Sequence, residues 1–155
     1  MYFRFLMKPE YTDGEIDLIP LYVRRDHEGP EFGHEKSWRI VEHGKRQEIG
    51  QIAYRSGEST AVYYFGHIGY HIDPPWRGRH YAAKACTLIA DEIRRSGKSS
   101  VIITCDPDNA ASRRTCELLG CLWECEVDVD EELRKRYEIS ARKERFIWRL
   151  QADRR

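Results

Sequence analysis

Ile72-Asp73-Pro74-Pro75-Trp76-Arg77-Gly78-Arg79-His80-Tyr81-Ala82-Ala83-Lys84-Ala85 joins a strand-like run to a helix through a short, basic, glycine-containing loop. The run before it, Tyr63-Tyr64-Phe65-Gly66-His67-Ile68-Gly69-Tyr70-His71-Ile72, is rich in aromatic and β-branched residues and reads as one strand. Pro74 and Pro75 lack the donors that would continue a ladder, so the strand ends there. From Arg79 onward, apolar residues recur at Ala82, Ala85 or Cys86, Ile89 and Ile93, the spacing of one helical face, until Ser96-Gly97 supplies a stop. The predicted helix therefore begins inside the basic loop. A helix N-terminus presents unpaired N–H groups and about half a positive charge, which favours an anion before any side chain is counted. Arg77 and Arg79 add fixed charge, although a strand-to-helix turn can carry Gly and Arg without holding a ligand.

A second strand-to-helix junction follows. Val101-Ile102-Ile103-Thr104 is a short apolar strand that breaks at Asp106-Pro107-Asp108-Asn109 and leads into Ala110-Ala111-Ser112-Arg113-Arg114-Thr115-Cys116-Glu117-Leu118-Leu119-Gly120. Asp108 or Asn109 is placed to cap this helix, and Gly120 is placed to close it in the left-handed conformation.

Together the two segments resemble the GCN5-related N-acetyltransferase (GNAT) superfamily. Its phosphate loop follows Gln/Arg-x-x-Gly-x-Gly/Ala; Arg77-Gly78-Arg79-His80-Tyr81-Ala82 matches at its first and last positions and has His80 for the middle glycine. Its second signature, Asn-x-x-Ala/Ser followed by Tyr and then Gly-Phe, aligns with Asn109, Ser112, Cys116, Gly120 and Cys121, so that both hallmark aromatics are cysteine here. The resemblance implies acetyl-CoA (CoA) as cofactor, lying in a gap where the sheet splays beside the strand ending at Ile72. It puts the amide that polarises the thioester carbonyl at Tyr70, further bonding at Ile72, and the pyrophosphate on amides from Arg77 through Gly78, Arg79, His80 and Tyr81 to Ala82. Asn109 and Ser112 match positions lining the cofactor's far side.

The resemblance leaves the acid and base open. The tyrosine that usually protonates the departing thiolate is Cys116, which can donate a proton itself, leave that to water, or simply pack its helix. The usual glutamate falls on Gly66. His67 beside it, Tyr64 on the same predicted face and Glu48 on the neighbouring strand are the candidates for its role.

The chain has 155 residues and no linker-like stretch, which predicts one domain over residues 1–150 and a frayed tail at 151–155. Its 26 basic and 26 acidic residues cancel, so no overall field recruits nucleic acid or an anionic membrane. No run is long and apolar enough for a membrane span, and Met1 to Lys8 is too short for a secretory signal, which together predict a cytoplasmic protein. The five cysteines (86, 105, 116, 121, 125) are odd in number and lack paired CxxC spacing, arguing against disulfides and structural zinc, and the six histidines form no HxxxH pair on a helix, so no metal is predicted.

Outward from the centre, Ser37–Glu42 and Glu48–Tyr54 read as strands joined by a turn near His43-Gly44-Lys45, and Leu122–Val127 and Arg145–Leu150 as the closing pair. Glu15–Arg24 reads as a short helix broken at Pro20. The expected fold is α+β, a GNAT-like three-layer sandwich in which a mixed, mostly antiparallel sheet splays at the acetyl-CoA site and carries helices on both faces. The expected activity is transfer of acetyl to an amine of a small molecule or peptide by direct attack in a ternary complex. Acidic residues in the loop from Asp26 to Glu35, with Asp128, Asp130, Glu131 and Glu132, could draw a cationic amine. The last two strands leave an edge on which a homodimer is plausible. Two other classes stay open: a CoA-binding sensor or interaction module without turnover, which the missing Tyr and Glu permit, and a thiol switch using Cys116, Cys121 and Cys125.

Overall fold

A computed structural model describes residues 8–24 and 32–151. The opening segment through Met7, residues 26–31 of the acidic loop and the tail from 152 lie outside the described residues.

The first sheet has five antiparallel strands in sequence order, β1 (Tyr11–Thr12), β2 (Ile16–Arg24), β3 (Glu35–Glu42), β4 (Glu48–Arg55) and β5 (Ile68–Ile72). Period-two alternation sends Ile16, Leu18, Trp38, Ile40, Ile52 and Ile68 to one face, where each is 2 % exposed or less. Each contributes on the order of 2 kcal/mol by leaving water. Helices α2 (Tyr81–Leu88) and α3 (Ala90–Arg95) cover that face through Ala85, Cys86, Ile89 and Ile93. The expected helix at 15–24 is instead strand β2. Pro20 is accommodated because the register with β3 shifts between Pro20 and Tyr22, where a missing N–H donor is tolerated.

The strand expected over Tyr63–Ile72 is also corrected. Helix α1 (Thr60–Phe65) occupies its first part, and only Ile68–Ile72 is strand. Ser59 caps the helix by accepting from Val62 N–H at 3.1 Å, and Gly66 ends it at φ +79°. Phe65 stacks edge-on against Phe32 and Tyr137, so the aromatic side chains that suggested a strand are spent in a tertiary cluster.

The second sheet, also antiparallel, runs β6 (Ser100–Cys105), β8 (Arg142–Arg149), β7 (Leu122–Asp128), with helix α4 (Ala110–Leu118) after β6 and α5 (Glu131–Tyr137) after β7. Helix α5 has no apolar stripe to announce it. Its support is local: the Asp130 side chain accepts from Glu132 N–H at 2.9 Å, acids fill its first turn and bases its last. Strand β7 forms the outer edge of this sheet and exposes Leu122 and Trp123.

The helices thus flank two sheets, as the α+β reading requires. The sheets touch through a bridge between Gly66 and Ile103 and the bond from His67 N–H to Ile102 O at 2.8 Å, and then diverge. Beyond that point β5 and β6 are the facing edge strands of separate sheets.

Candidate active site

The divergence leaves one side of β5 unpaired, and the ladder on its other side fixes which groups point into the gap. Asp73 N–H donates to Ile49 O and Arg55 N–H to His67 O, both across the β4 ladder. Hydrogen-bonded pairs in an antiparallel ladder recur every second residue, so Gly69 and His71 also face β4. The N–H and C=O groups of Ile68, Tyr70 and Ile72 therefore face the gap. Ile72 O is met by Arg77 Nε at 2.8 Å.

At the C-terminal end of β5 the chain makes a 3-10 turn at Pro74–Trp76 and enters the loop before α2. Two residues there are left-handed, Gly78 at φ +83° and His80 at φ +63°, ψ +22°. His80 precedes α2 without a side-chain cap bond, so the first-turn amides stay directed at the loop. Glu42, at the end of β3, gathers the loop. Its carboxylate accepts from Trp76 Nε1 at 3.2 Å and Tyr81 OH at 3.4 Å and pairs with Lys45 at 3.4 Å and Arg79 at 3.9 Å. Desolvation alone would raise its pKa, but these partners hold it below the usual carboxylate range.

The opposite wall is the start of α4. Asn109 Oδ1 accepts from Ser112 N–H at 3.1 Å, which caps the helix and turns the Asn109 side chain inward along it. Ser112 is 9 % exposed, and its Oγ lies 2.8 Å from the Tyr70 hydroxyl, a bond that crosses from β5 to α4. The resulting cleft, about 350 Å³, is lined by Tyr70, Ile72, Arg77, His80, Asn109 and Ser112 among others. A second cavity of about 180 Å³ shares Tyr70, Asn109 and Ser112 with it and continues past Ile68, Gly69 and Cys105. A groove of about 280 Å³ lies on the other face of the first sheet and also reaches Gly69, Tyr70 and His71. Tyr70 is common to all three.

The sequence matches the family model of the acetyltransferase (GNAT) domain over residues 4–122. This chain belongs to the GNAT acetyltransferase family. No curated protein is matched. Among solved structures, it resembles the microcin C7 self-immunity acetyltransferase MccE in complex with acetyl-CoA and AMP, with TM-score 0.57 and 20% identity over 79% of this chain and 63% of that one. It also resembles a ribosomal-protein-S5-alanine acetyltransferase from Vibrio fischeri, with TM-score 0.59 and 17% identity over 81% of this chain and 66% of that one. The protein yncA from Salmonella typhimurium, solved with its cofactor acetyl-CoA, gives TM-score 0.56 and 19% identity over 78% of this chain and 68% of that one. The chain spans slightly less than two thirds of the first two. At these identities the likeness is one of fold.

Within this GNAT fold the expected cofactor residues line the cleft, except Arg79, which is turned to Glu42. The four side chains considered for proton transfer do not. Cys116 is fully buried in the face of α4 against the core and lines none of the three cavities; its contact with Cys121, together with burial, keeps the thiol protonated well above its ordinary range. His67 has both ring nitrogens engaged, Nδ1 accepting from Ile102 N–H at 2.9 Å and Nε2 bonded to Glu58 at 2.7 Å. Glu48 bonds Gln51 at 2.8 Å and, like Tyr64 on α1, lines none of the cavities. The sequence reading missed the Tyr70 side chain and Glu42. Alternation along β5 carried the signal for Tyr70, which shares the inward face of Ile68; nothing local marks Glu42, whose partners in the loop lie 34 to 39 residues away.

Among the described residues, no group of three His, Cys, Asp or Glu side chains is arranged to hold a metal ion, and no helix is long and apolar enough to cross a membrane. The five cysteines are free.

Proposed function

We propose that this protein transfers the acetyl group of acetyl-CoA to a primary amine by direct attack in a ternary complex. The observation that carries the reading is the free edge of β5, whose Tyr70 and Ile72 backbone groups face a cleft that runs to the left-handed, basic loop Arg77–Ala82. That loop suits a pyrophosphate: positive φ at Gly78 and His80 turns successive amides to one side, α2 adds its N-terminal dipole, and Arg77 and Arg79 add charge. Acetyl-CoA supplies an activated thioester. Tyr70 N–H, held by the ladder, is positioned to stabilise negative charge developing on the carbonyl oxygen, worth on the order of 3 kcal/mol for one such donor. Asn109 and Ser112 complete the far wall.

The amine has its own approach, from the other sheet face. There Tyr22, Ser37, Ala53 and Gly69 form one row across β2 to β5, and the small residues Ser37, Ala53 and Gly69 floor the groove that ends beside Tyr70. Ser37 is 3 % exposed and its Oγ has no partner among the described residues, while Glu35 and Arg55, paired at 2.7 Å, form a polar wall. A small-molecule or peptide amine fits this polar lining, and free cysteines fit a reducing compartment such as the cytoplasm.

A second reading has a specific observation in its favour: with Cys116 enclosed and His67 doubly bonded, neither is free to move protons, as in a CoA-binding sensor without turnover. Calorimetric titration with acetyl-CoA, followed by a panel of polyamines, aminosugars, amino acids and peptides, separates the two. Amine-dependent release of CoA supports the transferase. Tight binding with no release across the panel supports the sensor, and absence of binding removes both.

A further inference from the structure

We infer that the Tyr70 side chain, beyond its backbone amide, is a catalytic residue, donating a proton from its hydroxyl to the sulfur that leaves as acetyl transfer proceeds. The inference rests on the acetyl-transfer reading above and deepens it.

Transfer moves one proton in balance. The amine nitrogen bonds to the carbonyl carbon and loses a proton, the carbon–sulfur bond breaks, and the sulfur must gain one. A donor must therefore stand where a ligand anchored at the loop of residues 77–82 ends. The Tyr70–Ser112 bond is that place. It spans the gap from β5 to α4 at 2.8 Å, and the cleft and the second cavity share both residues, so the pair forms the partition between them.

The other proton-bearing side chains of the cleft are excluded by position. Arg77, His80 and Tyr81 are at the phosphate end, with Tyr81 turned to Glu42. Thr115 donates its hydroxyl to Ala111 O at 3.2 Å, and Arg114 is turned to Glu117 at 3.1 Å. His71 follows Tyr70 in β5, so alternation turns it to the opposite face, near Asp73 at 3.8 Å. Cys116 lies one helical turn beyond Ser112, beneath the partition.

Tyr70 also has the means to recover. With Ser112 Oγ–H donating to the phenol oxygen, the Tyr70 proton is free for the sulfur, and the phenolate left behind is held by that same bond. The proton it takes back comes through Ser112 from water, which has received the one lost by the amine. Burial pushes the Tyr70 phenol above its ordinary range, so the donor is fully protonated at neutral pH.

The test uses Tyr70→Phe in the full chain, which retains the ring and the backbone amide. Two measurements are made: kcat with acetyl-CoA and with its selenoester analogue, whose leaving group is more acidic, and the pH titration of thiolate absorbance for CoA bound to each protein. The expected results are a loss of about a hundredfold in kcat with acetyl-CoA, a clearly smaller loss with the selenoester, and bound CoA that ionises at higher pH in Tyr70→Phe than in the parent. Equal losses with both donors, or kcat unchanged and a common titration midpoint, overturn the inference. If the parent protein releases no CoA with any amine, the acetyl-transfer reading has failed separately, and the two midpoints still decide whether the Tyr70 hydroxyl reaches the sulfur.

Discussion

His67 and Ile102 exchange two hydrogen bonds across the base of the gap: His67 N–H donates to Ile102 O at 2.8 Å, and Ile102 N–H donates to His67 Nδ1 at 2.9 Å. Because Nδ1 accepts, it carries no proton, and Nε2–H is the donor to Glu58 at 2.7 Å. The two sheets are thus held at their junction by a neutral imidazole.

Protonation of that ring must break the clamp, which gives a pH dependence of stability. Burial pushes the His67 imidazole below its usual 6.5, outweighing the upward pull of Glu58. The unfolded chain then binds the proton more readily than the folded one, so stability is full above about pH 6.5 and falls as pH drops toward the folded value, at about 1.4 kcal/mol per pH unit. Lowered carboxylates such as Asp17, Glu92 and Asp106 act only below the usual 4.5 or 3.8, a separate window. Thermal unfolding is expected at lower temperature at pH 5.5 than at 7.5, and His67→Asn, whose Oδ1 can still accept from Ile102, should flatten that difference. Equal melting temperatures in the parent at both values would contradict the clamp.

His80 stands in the left-handed region without a glycine's freedom. That conformation costs an ordinary residue roughly 1–2 kcal/mol, while glycine adds roughly 0.5–1 kcal/mol of unfolded-state entropy. The first exceeds the second. His80→Gly should therefore raise the melting temperature by about 1–3 °C and leave acetyl-CoA affinity equal or better, since the loop loses a side chain and keeps its amides. Scanning calorimetry checks the first outcome, and a lower melting temperature would mean that the imidazole makes bonds that outweigh the strain.

Glu42 holds the loop of residues 76–81 by hydrogen bonds more than by charge. Arg79, at 3.9 Å and half exposed, is a weak ionic partner, whereas Trp76 and Tyr81 each need an acceptor. Glu42→Gln keeps that acceptor and is expected to change the KM for acetyl-CoA little. Glu42→Ala removes it from both side chains and should raise that KM about tenfold with kcat nearly kept. Equal KM values for the two variants would show that the loop needs no anchor from β3.

The central junctions were legible because their signals are local. Proline after Ile72, glycine and arginine in the loop, Asn109 capping α4 and Gly120 at φ +72° all act within a few residues of themselves. What escaped was set by distant contacts. Tyr63, Tyr64 and Phe65 have strand propensity, yet the Ser59 cap and the cluster of Phe65 with Phe32 and Tyr137 make them helical. Pro20 reads as a helix breaker, yet a register shift against β3 admits it to a strand. Likewise, motif positions pointed to the Tyr70 amide, but its hydroxyl acquired a partner only when α4 packed across from β5.

Ser37 offers a test of the amine's approach that is independent of the cofactor cleft. The residue is 3 % exposed and its hydroxyl is buried and unpartnered among the described residues, a state that costs roughly 1–3 kcal/mol when nothing compensates it. Ser37→Ala removes a polar atom that the free protein does not satisfy, so its folding stability should be unchanged or higher by up to about 1 kcal/mol. If the acceptor amine lies along the row Ser37, Ala53 and Gly69, the same hydroxyl finds its partner in the bound substrate, and the variant should lose about five- to tenfold in kcat/KM for the amine, corresponding to about 1 kcal/mol of one hydrogen bond. The KM for acetyl-CoA should not move, because the cleft lies on the other side of β5. Measuring both constants with the unfolding temperature separates the cases: a stable variant with unaltered amine kinetics would place the acceptor outside the groove, whereas a destabilised one would mean that Ser37 already has a partner in the free protein.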